Sequence, residues 1–135
     1  MLAILSVTLT LERTEAPVGD LEHFARVHPE NFVEAIVGAC KTVEDQGLED
    51  PDYFAAIDAD TTISPGSFEA MKRLIGGLTN GVDGVFKKDI HNGFLAARPP
   101  GHHAEKTTAM GFCLMNGIAA AARYAQAEYG AERVA

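Results

Sequence analysis

Apolar residues recur at helical spacing between residues 29 and 45. The stripe consists of Phe32, Ile36, Cys40 and Val43, at intervals of four, four and three positions. Such intervals place side chains on one face of an α-helix. Pro29 suits the first helical position and Gly47 a C-terminal stop, so we predict a helix that buries this stripe. Residues 2–11 are apolar at several positions and are compatible with a helix or a strand, of which we favour the helix.

A second helical pattern begins near residues 64–67, where a serine can serve as the N-cap. Its stripe consists of Phe68, Met71, Leu74, Leu78 and Val82. Gly76 and Gly77 interrupt the pattern, and glycine weakens a helix interior. The two glycines would therefore weaken the helix unless another backbone segment packs closely against it at this point.

The last third of the chain predicts a strand, a long loop and a helix. Residues 94–97 form a short apolar run typical of a buried strand, and residues 98–112 form a loop with Pro and Gly. An Ala-rich helix is expected over 114–129 with Gly130 as its stop, and a further strand is expected to begin at 133–135. This β–α–β order predicts an α/β fold with a parallel sheet, in which ligands bind at the carboxyl ends of strands.

Composition and charge narrow the class of protein. With 135 residues, 47% hydrophobic and 22% charged, the chain suits one globular domain. A net charge of −8 argues against nucleic acid as a partner and suits cationic substrates such as lysine-rich peptides or polyamines. Cys40 and Cys113 make no disulfide framework, so we predict a reducing, cytoplasmic location. We expect no membrane association, because no run approaches the roughly 20 apolar residues of a membrane span.

The candidate chemistry lies in the loop, where His102 and His103 are adjacent. Imidazole is the side chain whose ordinary pKa is closest to neutrality, so the pair suggests proton transfer, metal ligation, or both. Neighbouring side chains diverge in regular structure, so the two rings converge only on irregular backbone. Pro99, Pro100 and Gly101 supply that irregularity, and Gly111 would let backbone approach a ligand closely.

Three stretches of this sequence resemble the histone deacetylase superfamily, in the branch of acetoin-utilisation proteins and acetylpolyamine amidohydrolases. They are RPPGHHAE with MGFCLMN (98–105 and 110–116), DADT with SPGSFEA (58–61 and 64–70), and RVHP with FV (26–29 and 32–33). The resemblance implies a parallel-sheet, arginase- or deacetylase-like three-layer α/β fold, incomplete in this chain. It also implies zinc-dependent hydrolysis of the acetyl-amide bond of acetyl-lysine or of acetylated polyamines.

The resemblance also implies site roles, carried over residue by residue. His102 matches the general base that deprotonates the metal-bound water, and His103 matches the partner that assists it or protonates the leaving amine. Gly111 matches the residue whose carbonyl faces the substrate amide, and Phe112 matches one aromatic wall of the acyl-lysine tunnel. Asp58 matches a rim carboxylate that binds the substrate backbone. Relatives often carry Asn or Asp where this chain has Gly117, which is a departure from the pattern.

Other parts of the family's site lie outside the matched stretches. The resemblance places the Zn²⁺ ligands on an Asp-x-His element of the next strand and on a later Asp, and the oxyanion donor on a late Tyr. We therefore expect residues 1–135 to be the N-terminal portion of a single deacetylase domain, lacking the first strand and the C-terminal more-than-half. We expect no metal ligands in this chain and no activity from it alone. An oligomeric full-length protein is compatible with this interpretation.

Two other functions are compatible with the same sequence. The chain could be a catalytically inactive remnant that acts as a binding or interaction module. His102 and His103 could also be direct metal ligands in an unrelated hydrolase. The remaining histidines, His23, His28 and His91, are expected to be structural or exposed, and Cys113 is expected to be a small buried residue near the pocket.

Overall fold

The computed structural model describes residues 11–135, so the helix expected at 2–11 lies, except for Leu11, outside the described residues. The elements are a 3₁₀ helix (Leu21–Arg26), α1 (Glu30–Gly47), β1 (Ala55–Ala56), β2 (Thr62–Ile63), α2 (Ser67–Phe86) and α3 (Gly117–Tyr129). The three α-helices predicted from residues 29–45, 64 onward and 114–129 are confirmed, with boundaries shifted by a few residues.

The α1 helix forms where the apolar stripe predicted it. Ile36, Cys40 and Val43 are buried, and Phe32 is partly buried against the same core. Pro29 is the N-cap and Glu30 the first helical residue, so the helix begins one position later than predicted. The extended backbone of Pro29 ends the preceding segment and leaves its carbonyl to accept hydrogen bonds from the first helical turn.

The α2 helix starts without the predicted serine N-cap. Gly66 occupies that position with a left-handed φ of 88°, and its amide donates to Glu44 Oε1 of α1. The Ser67 hydroxyl instead accepts from the Ser64 amide and so closes the turn before the helix. A glutamate of the neighbouring helix therefore fixes the N-cap glycine, and no side chain of the described residues caps the first amides of α2.

The two adjacent glycines inside α2, Gly76 and Gly77, are sites of close approach. A methyl group at Gly76 would overlap the Pro17 carbonyl oxygen and the Gly19 amide nitrogen. A methyl group at Gly77 would lie 2.7 Å from a methyl carbon of Leu95. The Gly19 amide also donates to the Lys72 carbonyl of α2 at 2.9 Å. The absence of side chains at Gly76 and Gly77 therefore allows residues 16–19 to pack directly against α2.

The α3 helix has both of its ends capped. The Asn116 side chain accepts from Ala119 N, and Gly130 ends the helix with a φ of 67°. The helix therefore begins three residues after the predicted start at residue 114 and stops where Gly130 predicted. Its small buried residues, Gly117, Ala120, Ala121 and Ala125, let it approach α2 and the 3₁₀ helix closely.

The described residues contain one short antiparallel ladder and none of the predicted parallel strands. β1 pairs with β2 through Ala55 opposite Ile63 and Ala56 opposite Thr62. The prediction of a buried strand at 94–97 is wrong, because Phe94 is 64% exposed and no described strand lies beside this run. Leu95 instead packs its side chain against Gly77 of α2. Residues 133–135 are likewise irregular.

The core lies where α1, α2, the 3₁₀ helix and the loop before α3 meet. Its buried residues are Phe24, Ile36, Cys40, Val43, Ile63, Met71, Ile75, Ala109, Leu114, Met115 and Ala120. Because Leu114 and Met115 belong to this core, the loop that carries the two histidines is anchored in it at its C-terminal end. Within residues 11–135, no helix is long and apolar enough to cross a membrane.

Candidate active site

His102 and His103 occupy the centre of a tight turn. The Ala104 amide donates to the Gly101 carbonyl at 3.3 Å, which makes the two histidines the central residues of a β-turn. Their ring centroids are 4.3 Å apart, with 55° between the ring planes, and both residues are exposed. The reversal of the backbone therefore brings two neighbouring imidazoles together and leaves both accessible.

The histidine turn is packed onto the start of α3. A Cβ at Gly101 would lie 2.7 Å from the Gly117 amide nitrogen and 2.9 Å from the Met115 carbonyl oxygen. The Asn116 side-chain amide donates to the Ala104 carbonyl at 2.9 Å, while its oxygen caps α3. One asparagine thus connects the end of the histidine turn to the helix N-terminus.

His28 fixes the same loop from the opposite side. Its Nε2 accepts from the Asn116 backbone amide at 2.8 Å, so Nδ1 carries the hydrogen and donates to the Lys106 carbonyl at 2.9 Å. The imidazole is 3% exposed and its ring lies 5.0 Å from that of Phe32. The prediction that His28 is structural is confirmed, and its role is to connect residues 106 and 116.

A second tight turn follows, at Gly111 and Phe112. Met110 and Cys113 exchange two backbone hydrogen bonds of 3.0 Å, and the residues between them have φ values of 59° and 64°. Two left-handed residues in succession are typical of a type I′ hairpin turn. A Cβ at Gly111 would lie 2.8 Å from the His103 Cβ, so the absence of a side chain here lets His103 pack on the turn.

Cys113 lies beneath both turns and Cys40 lies away from them. The Cys113 sulfur accepts from the His103 amide at 3.4 Å and donates to the Gly111 carbonyl at 3.3 Å. This confirms that Cys113 is a small buried residue near the candidate site. Burial, with a smaller contribution from Glu44, raises the pKa of Cys40 to about 11, which disfavours the thiolate.

The loop between β1 and β2 reaches the Gly111–Phe112 turn through Asp60 and Thr61. Asp60 Oδ1 accepts from the Gly111 amide at 3.2 Å, and Thr61 Oγ1 accepts from the Phe112 amide at 3.1 Å. Asp58 instead accepts from the amides of Asp60 and Thr61. These hydrogen bonds, that from the Asp60 amide foremost, hold the pKa of the Asp58 carboxyl below its ordinary value.

Four of the five predicted site residues are therefore brought into one surface cluster, and Asp58 supports that cluster through its own loop. Sequence reasoning did not assign roles to Thr61, His28 and Asn116 in holding the two turns. The Asp-x-Asp-Thr pattern at 58–61 signals local side-chain-to-backbone turns, but nothing in its spacing indicates a contact 51 residues away.

The described residues do not fit a zinc centre. Within residues 11–135, no group of three or more His, Cys, Asp or Glu side chains is arranged to hold a metal ion, and residues 1–10 contain none of these types. Asp89 and His91 have Asp-x-His spacing, but both are exposed beyond the end of α2 without a third donor nearby.

Comparison with known proteins identifies relatives of this chain. The family model described as "Histone deacetylase domain" matches residues 2–135. The histone deacetylase-like amidohydrolase of Pseudomonas aeruginosa is 33% identical over 135 residues, which are 100% of this chain and 33% of that protein. Polyamine deacetylase HDAC10 of Mus musculus is 31% identical over 117 residues, which cover 73% of this chain and 18% of that protein.

A solved structure extends the comparison to the fold. The HDA15 HD domain matches with a TM-score of 0.76 and 28% sequence identity, over 93% of this chain and 35% of that domain's chain. The chain thus has the deacetylase-like α/β fold predicted from its sequence, and it spans about a third or less of the length of the curated relatives described above. The family match over nearly the whole chain shows that this protein belongs to the histone deacetylase family.

Proposed function

We propose that this chain supplies the proton-transfer pair of a zinc-dependent amidohydrolase that removes acetyl groups from acetyl-lysine or from acetylated polyamines. Family membership supports a deacetylase or amidohydrolase class, and one observation carries the assignment to these residues. The turn from Gly101 to Ala104 presents two exposed imidazoles with centroids 4.3 Å apart, next to a glycine turn with an exposed aromatic ring.

The chemistry assigned to the pair is general acid–base catalysis of amide hydrolysis. His102 takes a proton from the attacking water as the new carbon–oxygen bond forms at the acetyl carbonyl. His103 stabilises the resulting imidazolium or protonates the leaving amine nitrogen as the carbon–nitrogen bond breaks, which yields acetate and a free amine. Side chains that titrate near neutrality suit both transfers.

The substrate would lie against the second turn. Phe112, 64% exposed, offers an apolar wall to the methylene chain of an acetylated lysine or polyamine. The Gly111 carbonyl would accept from the substrate amide, and the Asp58 carboxylate would contribute negative charge at the rim. A net charge of −8 also favours the approach of cationic amines. The name of the related polyamine deacetylase is consistent with a polyamine substrate.

The cofactor and the domain belong to the same proposal. Residues 1–135 would form the N-terminal portion of a single deacetylase domain, and Zn²⁺ would be held by residues elsewhere in that domain. The comparison domain, of which this chain covers 35%, supports that reading. The isolated 135-residue chain is therefore expected to be inactive.

Single substitutions in the natural protein, meaning the complete deacetylase domain with its zinc bound, test the proposal. We expect His102→Ala to lower acetate release from an acetyl-lysine peptide or acetylated polyamine by about 10²–10⁴-fold, the usual contribution of a positioned base. Zinc measured by mass spectrometry of the purified protein should remain unchanged. His91→Ala, at an exposed histidine outside the cluster, is the matched control and should leave both readings unchanged.

Two results would contradict the proposal. Loss of zinc in both His102→Ala and His103→Ala would make the pair metal ligands in place of an acid–base pair. Absence of any acetate release by the zinc-loaded natural protein would favour an inactive binding module.

A further inference from the structure

Thr61 is a fully buried polar residue whose side chain contacts the substrate-facing turn. Its exposure is 0%, and its hydroxyl makes two hydrogen bonds. The hydroxyl donates to Asp60 Oδ1 at 3.0 Å and accepts from the Phe112 amide at 3.1 Å. Buried hydroxyls are almost always partnered, and here both partners lie on or beside the turn that carries Phe112.

The backbone of Phe112 needs such support. A φ of 64° is uncommon for a residue with a side chain and costs of order 1 kcal/mol or more. The exchange of hydrogen bonds between Met110 and Cys113 closes the turn, but it does not involve the amides of the two central residues. Those amides are bound by Asp60 and Thr61, one amide each.

The ring of Phe112 receives little support from packing. Since it is 64% exposed, its direction depends on the orientation of the backbone that carries it. The Thr61 hydroxyl bonds the amide of that same residue, so it acts on the Cα–Cβ direction directly. A change in this one hydrogen bond would therefore tilt the aromatic wall, whereas the histidine turn at residues 101–104 keeps its own hydrogen bonds from Ala104 N to Gly101 O and from Asn116 to Ala104 O.

We propose that Thr61 is a positioning residue that fixes Phe112 as the wall beside the methylene chain of the substrate and thereby sets how well that chain fits the site. The assignment of Phe112 as a wall that contacts the substrate rests on the proposed function. The hydrogen bond from the Phe112 amide to the Thr61 hydroxyl does not depend on that function.

The test compares Thr61→Val, which keeps the shape and removes both hydrogen bonds, with Thr61→Ser, which keeps the hydroxyl and removes a methyl group. In the natural protein, we expect hydrogen exchange at the Phe112 amide to be about five-fold faster in Thr61→Val, the effect of losing one net hydrogen bond. The exchange rate in Thr61→Ser should stay within about two-fold of wild type, because serine keeps the hydroxyl.

Kinetics on matched acetylated peptides report the consequence. For Thr61→Val we expect KM for the acetyl-lysine peptide to rise several-fold with kcat nearly unchanged. The preference for acetyl-lysine over acetyl-ornithine, whose chain is one methylene shorter, measured as a ratio of kcat/KM values, should fall by about the same factor, and Thr61→Ser should keep both values close to wild type. Thr61→Cys, with a weak donor and acceptor of similar size, should be intermediate and replaces Thr61→Val if that variant does not fold.

Three results would overturn the inference. A larger effect in Thr61→Ser than in Thr61→Val would assign the effect to packing of the methyl group, which valine retains and serine lacks. Faster amide exchange without a change in KM or in the preference for acetyl-lysine would show that Phe112 does not contribute to the fit of the methylene chain. Unchanged exchange in Thr61→Val would show that the hydroxyl does not hold Phe112, a result that can be read even if the wild-type protein releases no acetate and the proposed function fails.

Discussion

Contact between His103 and Gly111 shows how a single residue without a side chain shapes the candidate site. The His103 Cβ and Cγ lie 2.8 and 2.9 Å from where a Cβ at Gly111 would stand, so the ring rests on the bare backbone of the turn. The left-handed φ of 59° adds a second reason for glycine at this position. Both requirements follow from the geometry of two adjoining turns.

Gly111→Ala is expected to destabilise the protein by about 2–4 kcal/mol, because a strained φ and an overpacked contact act together. Gly130→Ala is the matched control, since Gly130 has a φ of 67° with no neighbour within 4 Å of its Cβ position. It should lose only about 1 kcal/mol. Denaturant unfolding of both variants measures the difference. Equal losses would show that the His103 contact carries no energy.

The adjacent histidines were predictable as a candidate site, whereas their mutual orientation was not. The residue types and the surrounding Pro and Gly already indicate irregular backbone and proton chemistry. The convergence of His102 and His103 depends on the hydrogen bond from Ala104 to Gly101. Asp58 is the opposite case, because its carboxylate is engaged in its own turn and Thr61 and Asp60 make the long-range contacts.

At the scale of elements, the interior of α2 illustrates why adjacent glycines persist in a helix. Gly76 admits the backbone of residues 17–19, and Gly77 admits the side chain of Leu95. Helix propensity alone disfavours both residues by about 1 kcal/mol each relative to alanine. Close packing of a second segment offsets that loss, which is the condition that the sequence pattern suggested.

Gly76→Ala is expected to cost at least about 2 kcal/mol, because the new methyl group would overlap backbone atoms of Pro17 and Gly19 that have no free rotation. Gly81→Ala, in the same helix with open space at its Cβ, should instead stabilise the protein by about 0.5–1 kcal/mol. Thermal unfolding of the two variants gives opposite shifts in Tm. A stabilised Gly76→Ala would contradict the close approach.

The strands show where periodicity failed. Residues 94–97 have the apolar composition of a buried strand, yet a strand exists only with a partner at hydrogen-bonding distance. Within residues 11–135 the one ladder is between β1 and β2. An apolar run therefore indicates packing against another part of the protein and not the type of element. Here the Leu95 side chain packs against Gly77 of α2.

For the whole molecule, Asp83 connects the C-terminal part of α2 to α3. It accepts from Tyr124 and Tyr129 at 2.9 Å and pairs with Lys87 at 3.2 Å. Burial raises the pKa of the Asp83 carboxyl, but the hydrogen bonds from Tyr129, Tyr124 and Lys87 outweigh it, so the pKa is lowered. Burial, followed by the bond to Asp83, raises the pKa of Tyr124 to about 12.

These shifts predict a stability window. A lowered pKa for Asp83 contributes stability above its unfolded value of about 3.9, and this is lost as the pH falls through the lower folded value. A raised pKa for Tyr124 contributes stability below about 10, and this is lost as the pH rises towards about 12. The free energy of unfolding should therefore decline at low pH, where Asp83 is protonated, and at high pH, where Tyr124 is deprotonated.

Asp83→Asn should lower the free energy of unfolding by about 1–2 kcal/mol near pH 7, with the difference from wild type shrinking at both ends of that window. Urea unfolding across pH 3–12 measures it. Asp89→Asn, at an exposed carboxylate just after the same helix, is the control and should follow wild type throughout. A pH-independent difference between Asp83→Asn and wild type would contradict the assigned pKa shifts.

Periodicity and short motifs were sufficient to predict the three α-helices, the candidate histidines and the family, because these features depend on residues close together in the chain. The contact of Leu95 with α2, the hydrogen bond from the Gly66 amide to Glu44 and the hydrogen bond from the Phe112 amide to Thr61 were not predictable from such patterns. Each joins atoms that are distant in sequence, 22 residues apart for Glu44 and Gly66 and 51 for Thr61 and Phe112. Folding brings them together because burial in a shared core leaves each polar group only the partners that the surrounding elements present.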